Sequence, residues 1–260
     1  MLIITSPTKT QSFDFDYKLS DIEFSQPEFL DRTGKIRNIL QEKSVEELQE
    51  ILDISEDLAE QNFERFKTWQ KEHNEANSKP ALFTYQGDVF QELDIENYTK
   101  ENFKYTDKNL RIITAFYGVL HGMSLMQQYR LEMKHKLNID GEIQKMNQYW
   151  QNILTEHLNQ EAEKHGHDYL LNLASNQYSR AVNFRQLNMD IVNVDFKEKR
   201  DGELKSIAIY IKKARGKMID FCTQKQITEP KELRDFNRDG YELNKEKLED
   251  DHLLFVRESE

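Results

Sequence analysis

The sequence predicts an α+β fold, a mixed α/β arrangement in one compact domain whose mixed sheet is surrounded by helices. Three observations carry this expectation. Short apolar runs closed by turn residues read as buried strands, as in residues 1–5 (MLIIT) before Ser6-Pro7 and residues 168–174 (DYLLNLA) before Ser175-Asn176. Longer stretches repeat apolar residues at helical spacing behind serine caps. No linker, low-complexity run or internal repeat divides the 260 residues, which include only four prolines and nine glycines, so residues 1–260 read as one domain.

Composition narrows the function classes. The hydrophobic fraction is 37%, yet fifteen Phe and eleven Tyr supply large buried area per residue. There is no 18-residue apolar stretch and no basic-then-apolar leader, so neither membrane insertion nor secretion is expected and a cytoplasmic location fits. A single cysteine, Cys222, leaves no internal disulfide and no cysteine-based metal cluster. Neither a metal nor a cofactor is expected.

The first strand ends at Ser6-Pro7, and Lys9 follows where a loop begins; in open α/β sheets such loops face a ligand crevice, although a solvated lysine fits equally. From Pro27 to Trp69 the chain reads as helices. Pro27 suits a first helical position, with Phe29, Leu30, Ile36, Ile39 and Leu40 as the apolar face and Gly34 interrupting it. Ser44 and Glu47 form a capping box, and Ser55 caps a third helix that buries Leu58, Ala59, Phe63, Phe66 and Trp69. Residues 81–85 read as a strand and Gly87-Asp88 as a turn, in which Asp88 is either a self-bonded turn aspartate or an acid–base group. Residues 99–108 read as a short helix.

Residues 110–136 stand out. Arg111, Arg130, Lys134 and Lys136 against Glu132 give a local charge of +3 in a chain of net charge −11. Apolar residues from Ile112 to Leu120 suit a buried element, punctuated by Tyr117-Gly118 and His121-Gly122. Arg130 suits bidentate phosphate contact, with Glu132 as its same-face neighbour in a strand. Residues 147–165 form a helix stopped by Gly166; His165 and His167 beside the stop read as exposed polar residues. Asn172 and Ser175 close the next strand, where α/β crevices open. Residues 190–196 and 203–210 read as paired strands joined through Arg200-Asp201-Gly202. Residues 197–217 hold eight bases and three acids, a second positive cluster that includes Lys212, Lys213, Arg215 and Lys217 at a helix start, where an anion would relieve the conflict with the helix dipole. Residues 218–226 read as helical with Cys222 buried, residues 252–256 as a final strand, and the acids from Glu246 onward as surface.

Blocks spread along the chain resemble the YaaA family of peroxide-stress proteins, long catalogued as a domain of unknown function: LIITSPTKT at 2–10, QGDVF at 86–90, YGVL at 117–120, LMQQYRLEM at 125–133, NLAS at 172–175, KKARG at 212–216 and NRDGY at 237–241. By this resemblance Lys9 falls on the lysine of the family's SPAKT motif with Thr8 in place of alanine, Asp88 on its GDV, and Lys213 and Arg215 on phosphate contacts. The family is also described as carrying a helix-hairpin-helix element, for which YGVL, with Tyr117 and Gly118, is the natural place. His121, Gly122 and Ser124 depart from a family pattern close to arginine, proline and aspartate, and Gln177 stands in place of a glutamate. The setting implied is hydrogen peroxide resistance, with free iron kept low and oxidative damage to DNA limited.

Two functional expectations follow. The first is DNA binding, duplex or branched, through a basic cleft formed by Lys9, Tyr117, Gly118, Arg130, Lys212, Lys213 and Arg215, with Ser6, Asn172 and Ser175 as further cleft residues; it requires the two clusters to meet in space. The second is an enzyme acting on a phosphorylated or nucleotide-like small molecule in the same crevice, with the bases as anion clamps and Asp88 or Glu132 as acid or base. A crevice too narrow for a duplex favours the second, and the overall negative charge weighs against indiscriminate DNA coating.

Overall fold

The computed structural model describes residues 1–15, 23–244 and 252–258. In chain order, β1 (Leu2–Thr5) is followed by three helices, α1 (Leu30–Gln41), α2 (Val45–Leu52) and α3 (Glu56–Thr68). A two-residue strand β2 (Lys79–Pro80) and a single turn α4 (Ala81–Thr84) precede α5 (Lys100–Asn109), which runs directly into the hairpin of β3 (Leu110–Thr114) and β4 (Gly118–His121). Next come β5 (Leu125–Met126), paired with β2, an outlying hairpin of β6 (Lys136–Ile139) and β7 (Glu142–Lys145), and the long helix α6 (Met146–His165). The remainder is β8 (Tyr169–Asn172), one turn α7 (Asn176–Ser179), β9 (Asp190–Arg200), β10 (Glu203–Lys205), α8 (Ala208–Lys225), β11 (Glu242–Leu243) and β12 (His252–Glu258).

The main sheet has five parallel strands in the order β12-β9-β8-β1-β3, flanked by antiparallel β11 and β4, with β10 folded back on β9. This is the mixed sheet and single α+β domain that the sequence predicts. Central parallel strands are covered on both faces, and Leu2, Ile3, Ile4, Leu170 and Leu171 are fully buried. The chain leaves β1 to reach β3 on one side and returns to β8 on the other. Strand order therefore reverses at β1, and a crevice opens beyond the carboxyl ends of β1 and β8.

Local signals explain most boundaries. The Ser44–Glu47 capping box forms in full, Gly166 ends α6 at φ +66°, and Asp201 and Gly202, both at positive φ, make the two-residue β9–β10 turn. Ser55 occupies its cap position without a side-chain capping bond, and α1 begins at Leu30 and continues unbroken through Gly34.

Four expectations need correction. Residues 81–84 form a helical turn, because Ala81 and Leu82 donate to Ser124 and Gly122 carbonyls and Tyr85 then closes an i→i−4 bond onto Ala81. The strand after residue 203 stops at Lys205, and Tyr210 lies in the first turn of α8. Arg130 and Glu132 lie in an irregular segment outside any strand. YGVL is no helix-hairpin-helix: Tyr117 closes the β3–β4 turn and Gly118 opens β4, at φ +74°, where a Cβ would come within 2.7 Å of the buried Trp150 ring. Glycine is needed there for both backbone and packing. The expectation for acids beyond Glu246 falls largely on residues 245–251 and 259–260, outside the described residues. Among the described residues no helix is long and apolar enough to cross a membrane.

Candidate functional site

The loop after β1 organises the crevice. Ser175 N donates to Ser6 Oγ at 2.9 Å and the two hydroxyls lie 3.2 Å apart, which ties the ends of β1 and β8 together. Farther along, Gln11 Oε1 accepts from Tyr129 N at 2.9 Å and the Gln11 carbonyl from Gln128 Nε2 at 3.0 Å, while Gln86 N donates to the Thr10 carbonyl at 3.0 Å. Segments 86–88 and 128–132 are thereby hung over the strand ends. They enclose a pocket of ≈ 590 Å³, completed by α8 through Lys212 and Arg215.

Helix α8 reaches the pocket because of Gly216. A Cβ at that position would stand 2.1 Å from the Val89 carbonyl oxygen and 2.9 Å from Glu92 Cβ, so only glycine lets the helix lie against segment 88–92. Lys212 then meets Asp88 at 3.1 Å, and Lys213 and Lys217 meet Glu92 at 3.5 and 2.7 Å. On the opposite wall the Glu132 carboxylate receives Lys9 Nζ at 3.2 Å and Arg130 at 3.4 Å. Glu132 is held in place by its own backbone N–H, which donates to His135 Nδ1 at 3.1 Å; burial draws His135 down to about 4, against the raising effect of Glu132.

The positive clusters are therefore largely neutralised at the rim, whereas the interior holds donors without acceptors. Arg130, Arg215 and Gln177 all line this pocket, and in each one N–H (Arg130 Nε, Arg215 Nε, Gln177 Nε2) is buried without a hydrogen-bond partner among the described residues. Arg215 makes no ion pair among the described residues, and burial pulls its guanidinium below the usual arginine range. Buried polar groups are nearly always satisfied, so three orphaned N–H donors on residues around one pocket suit an acceptor-rich anion. Tyr129, pushed up to about 12 by burial, shares a 2.9 Å hydroxyl contact with Tyr85, and burial also raises Tyr178, so the aromatic wall stays protonated and neutral at physiological pH.

Of the residues singled out in the sequence, Ser6, Lys9, Asp88, Arg130, Glu132, Ser175, Lys212 and Arg215 converge on this pocket. Four do not. Lys213 faces Glu92 away from the cavity wall. The Asn172 carboxamide is used locally, accepting from Ala174 N at 3.2 Å and donating to Asn193 at 3.2 Å. Tyr117 and Gly118 are wholly buried, and the Tyr117 hydroxyl accepts from Trp69 Nε1 at 3.2 Å and Gln127 N at 2.9 Å with His73 Nε2 at 3.0 Å. Sequence reasoning missed Gln11, Gln86 and Tyr178, none of which carries a periodic or charge signal, and it left Gln177 without a role. His167 is buried rather than exposed as the sequence suggested, and the Met1 amino group lies 3.4 Å from its Nδ1. Among the described residues the one cluster of three or more His, Cys, Asp or Glu side chains close enough to share an ion lies elsewhere.

The family model described as "Peroxide stress protein YaaA" matches residues 1–247. A UPF0246 protein of Francisella philomiragia is 36% identical over 258 residues, covering 99% of this chain and 100% of the relative. UPF0246 proteins from two Aliivibrio fischeri strains, MJ11 and ES114, are each 36% identical over 260 residues, covering 100% of this chain and 99% of each relative.

Proposed function

Because the chain belongs to the YaaA family of peroxide stress proteins, we propose that it serves that response by binding a phosphorylated or nucleotide-like small molecule in the pocket beyond β1 and β8. One observation carries this reading. Arg130, Arg215 and Gln177 line a recess of ≈ 590 Å³, a volume suited to a small ligand, and each carries a buried N–H (Arg130 Nε, Arg215 Nε, Gln177 Nε2) with no hydrogen-bond partner among the described residues. A phosphate offers acceptors to all three. Glu132 and Asp88, already bridged to bases, stand at the rim as the groups able to exchange a proton with such a ligand.

The DNA-binding reading gains from the meeting of Arg130 with Lys212 and Arg215, but the pairing of Lys9, Lys212 and Lys213 with carboxylates leaves little rim charge to neutralise phosphates. Calorimetry with AMP, ribose 5-phosphate and a short duplex DNA, each at low and physiological salt, separates the two. The small-molecule reading expects AMP or ribose 5-phosphate to bind and Arg130→Met with Arg215→Met to abolish it. Salt-sensitive duplex binding, lost in a folded Lys9, Lys213, Arg215 triple alanine variant, with no small-molecule heat, would replace it by the DNA reading. The cytoplasmic setting belongs to either proposal.

A further inference from the structure

The other end of the sheet holds a second polar cluster, unrelated to the pocket. Arg111, the second residue of β3, pairs in register with His121 at the end of β4. Since β3 runs parallel to β1, both lie at the edge opposite the crevice. Helix α6 crosses this edge and presents His157 and Glu161, spaced i, i+4 and so on one face. His121 Nε2 lies 3.4 Å from Glu161 Oε1, and His157 Nε2 lies 3.7 Å from Glu161 Oε2.

We propose that His121, His157 and Glu161 form a binding site for a first-row divalent transition cation of the zinc–cobalt class. The donor atoms of the three residues all lie within 4.8 Å of one another. A tetrahedral ion with bonds near 2.0–2.1 Å spaces its donors about 3.3 Å apart, close to the 3.4 and 3.7 Å from the histidines to the Glu161 carboxylate, and the separations within the 4.8 Å bound close further on ligation. The second observation is His157 itself. The residue is 8% exposed, and its Nε2, directed at Glu161, is buried without a hydrogen-bond partner. A buried imidazole nitrogen with nothing to bind is unusual, and an imidazole–carboxylate set is a borderline donor set preferred by such ions over magnesium or calcium.

The surroundings fit ligation. Arg111 donates to Glu161 through Nε and, at 2.9 Å, through Nη2, which fixes the carboxylate plane while leaving lone pairs toward the histidines. On the far side of the His121 ring, Asp107 Oδ1 lies 3.9 Å from Nδ1; a proton there leaves the Nε2 lone pair for the cation. The carboxylates of Asp107 and Glu161 also outnumber the single Arg111 charge. The His121 side chain is 18% exposed, which provides an entry route.

The test uses the full-length protein after chelation and dialysis. Titration with Co²⁺ is followed by visible absorption and calorimetry, with Zn²⁺ as competitor. One equivalent of Co²⁺ is expected, displaced by Zn²⁺, with affinity falling at least about tenfold in His157→Gln. His121→Arg places a cation between Asp107 and Glu161, so it should fold and melt like the parent without metal yet lose the Co²⁺ spectrum. Absence of stoichiometric binding by the parent protein would overturn the proposal and leave an ion-pair cluster only. Co²⁺ binding retained in both variants would overturn it as well. AMP binding in the pocket should be the same in His157→Gln, so this outcome is independent of the preceding reading.

Discussion

Replacing Arg215 with methionine should separate stability from binding. The guanidinium sits on the pocket wall with no ion pair among the described residues, its Nε buried and unpartnered, and burial alone suffices to lower its basicity. An unsatisfied buried donor costs about 1–3 kcal/mol, more for charged groups. Methionine keeps much of the side-chain length without a polar atom. Arg215→Met is therefore expected to be neutral or to stabilise the ligand-free protein by about 1 kcal/mol, a rise in Tm of roughly 2–4 °C for a chain near this size. The same change removes a charged hydrogen bond to a bound phosphate, about 1.5–3 kcal/mol, so AMP affinity should fall about 10- to 100-fold. Thermal melts and calorimetry on one preparation give both numbers. A variant that melted well below the parent while binding AMP undiminished would refute the reasoning, since Arg215 would then be a structural residue.

The other expectations follow from the same contacts. Gly216→Ala forces a Cβ against the Val89 carbonyl at 2.1 Å, so α8 must shift; a loss of about 1–3 kcal/mol in urea unfolding is expected, accompanied by weaker AMP binding because Lys212 and Arg215 move with the helix. Tyr117→Phe leaves Trp69 Nε1 and Gln127 N without their acceptor and should cost about 1–3 kcal/mol in the same assay, with ligand affinity unchanged. Burial lowers His73, His135 and His167 to about 4, below the unfolded value of 6.5, so the unfolded chain binds more protons between these limits. Stability should hold above about pH 6.5 and fall as pH drops toward 4, by at most about 1.4 kcal/mol per pH unit for each histidine; urea midpoints that stayed level from pH 7 to 4.5 would contradict this.

Much of the site was legible because strand ends are. Ser6 and Lys9 after β1 and Ser175 after β8 were placed by the rule that parallel strands open their crevice at carboxyl ends, and the structure brings them to one cavity. Asp88 and Arg215 follow from the family resemblance laid over local turn and charge signals, though the approach of α8 to segment 88–92 depends on Gly216, whose role is visible only once the two meet. Lys212 and Lys213 could not be told apart in sequence: successive helical residues diverge, so one faces Asp88 at the cavity and the other Glu92. Tyr117-Gly118 misled because a glycine at positive φ marks a β-turn as readily as a phosphate-binding hairpin. His157 and Glu161 share an evident i, i+4 spacing, but their third partner, His121, arrives through the pairing of β3 with β4, a long-range register that periodicity does not encode.

The most direct measurement is a crystal structure of the protein grown with AMP. The account expects the phosphate in the pocket beyond β1 and β8, its oxygens about 3 Å from Arg130 Nε, Arg215 Nε and Gln177 Nε2. A pocket that excludes the nucleotide, or a phosphate seated away from those three nitrogens, would contradict it.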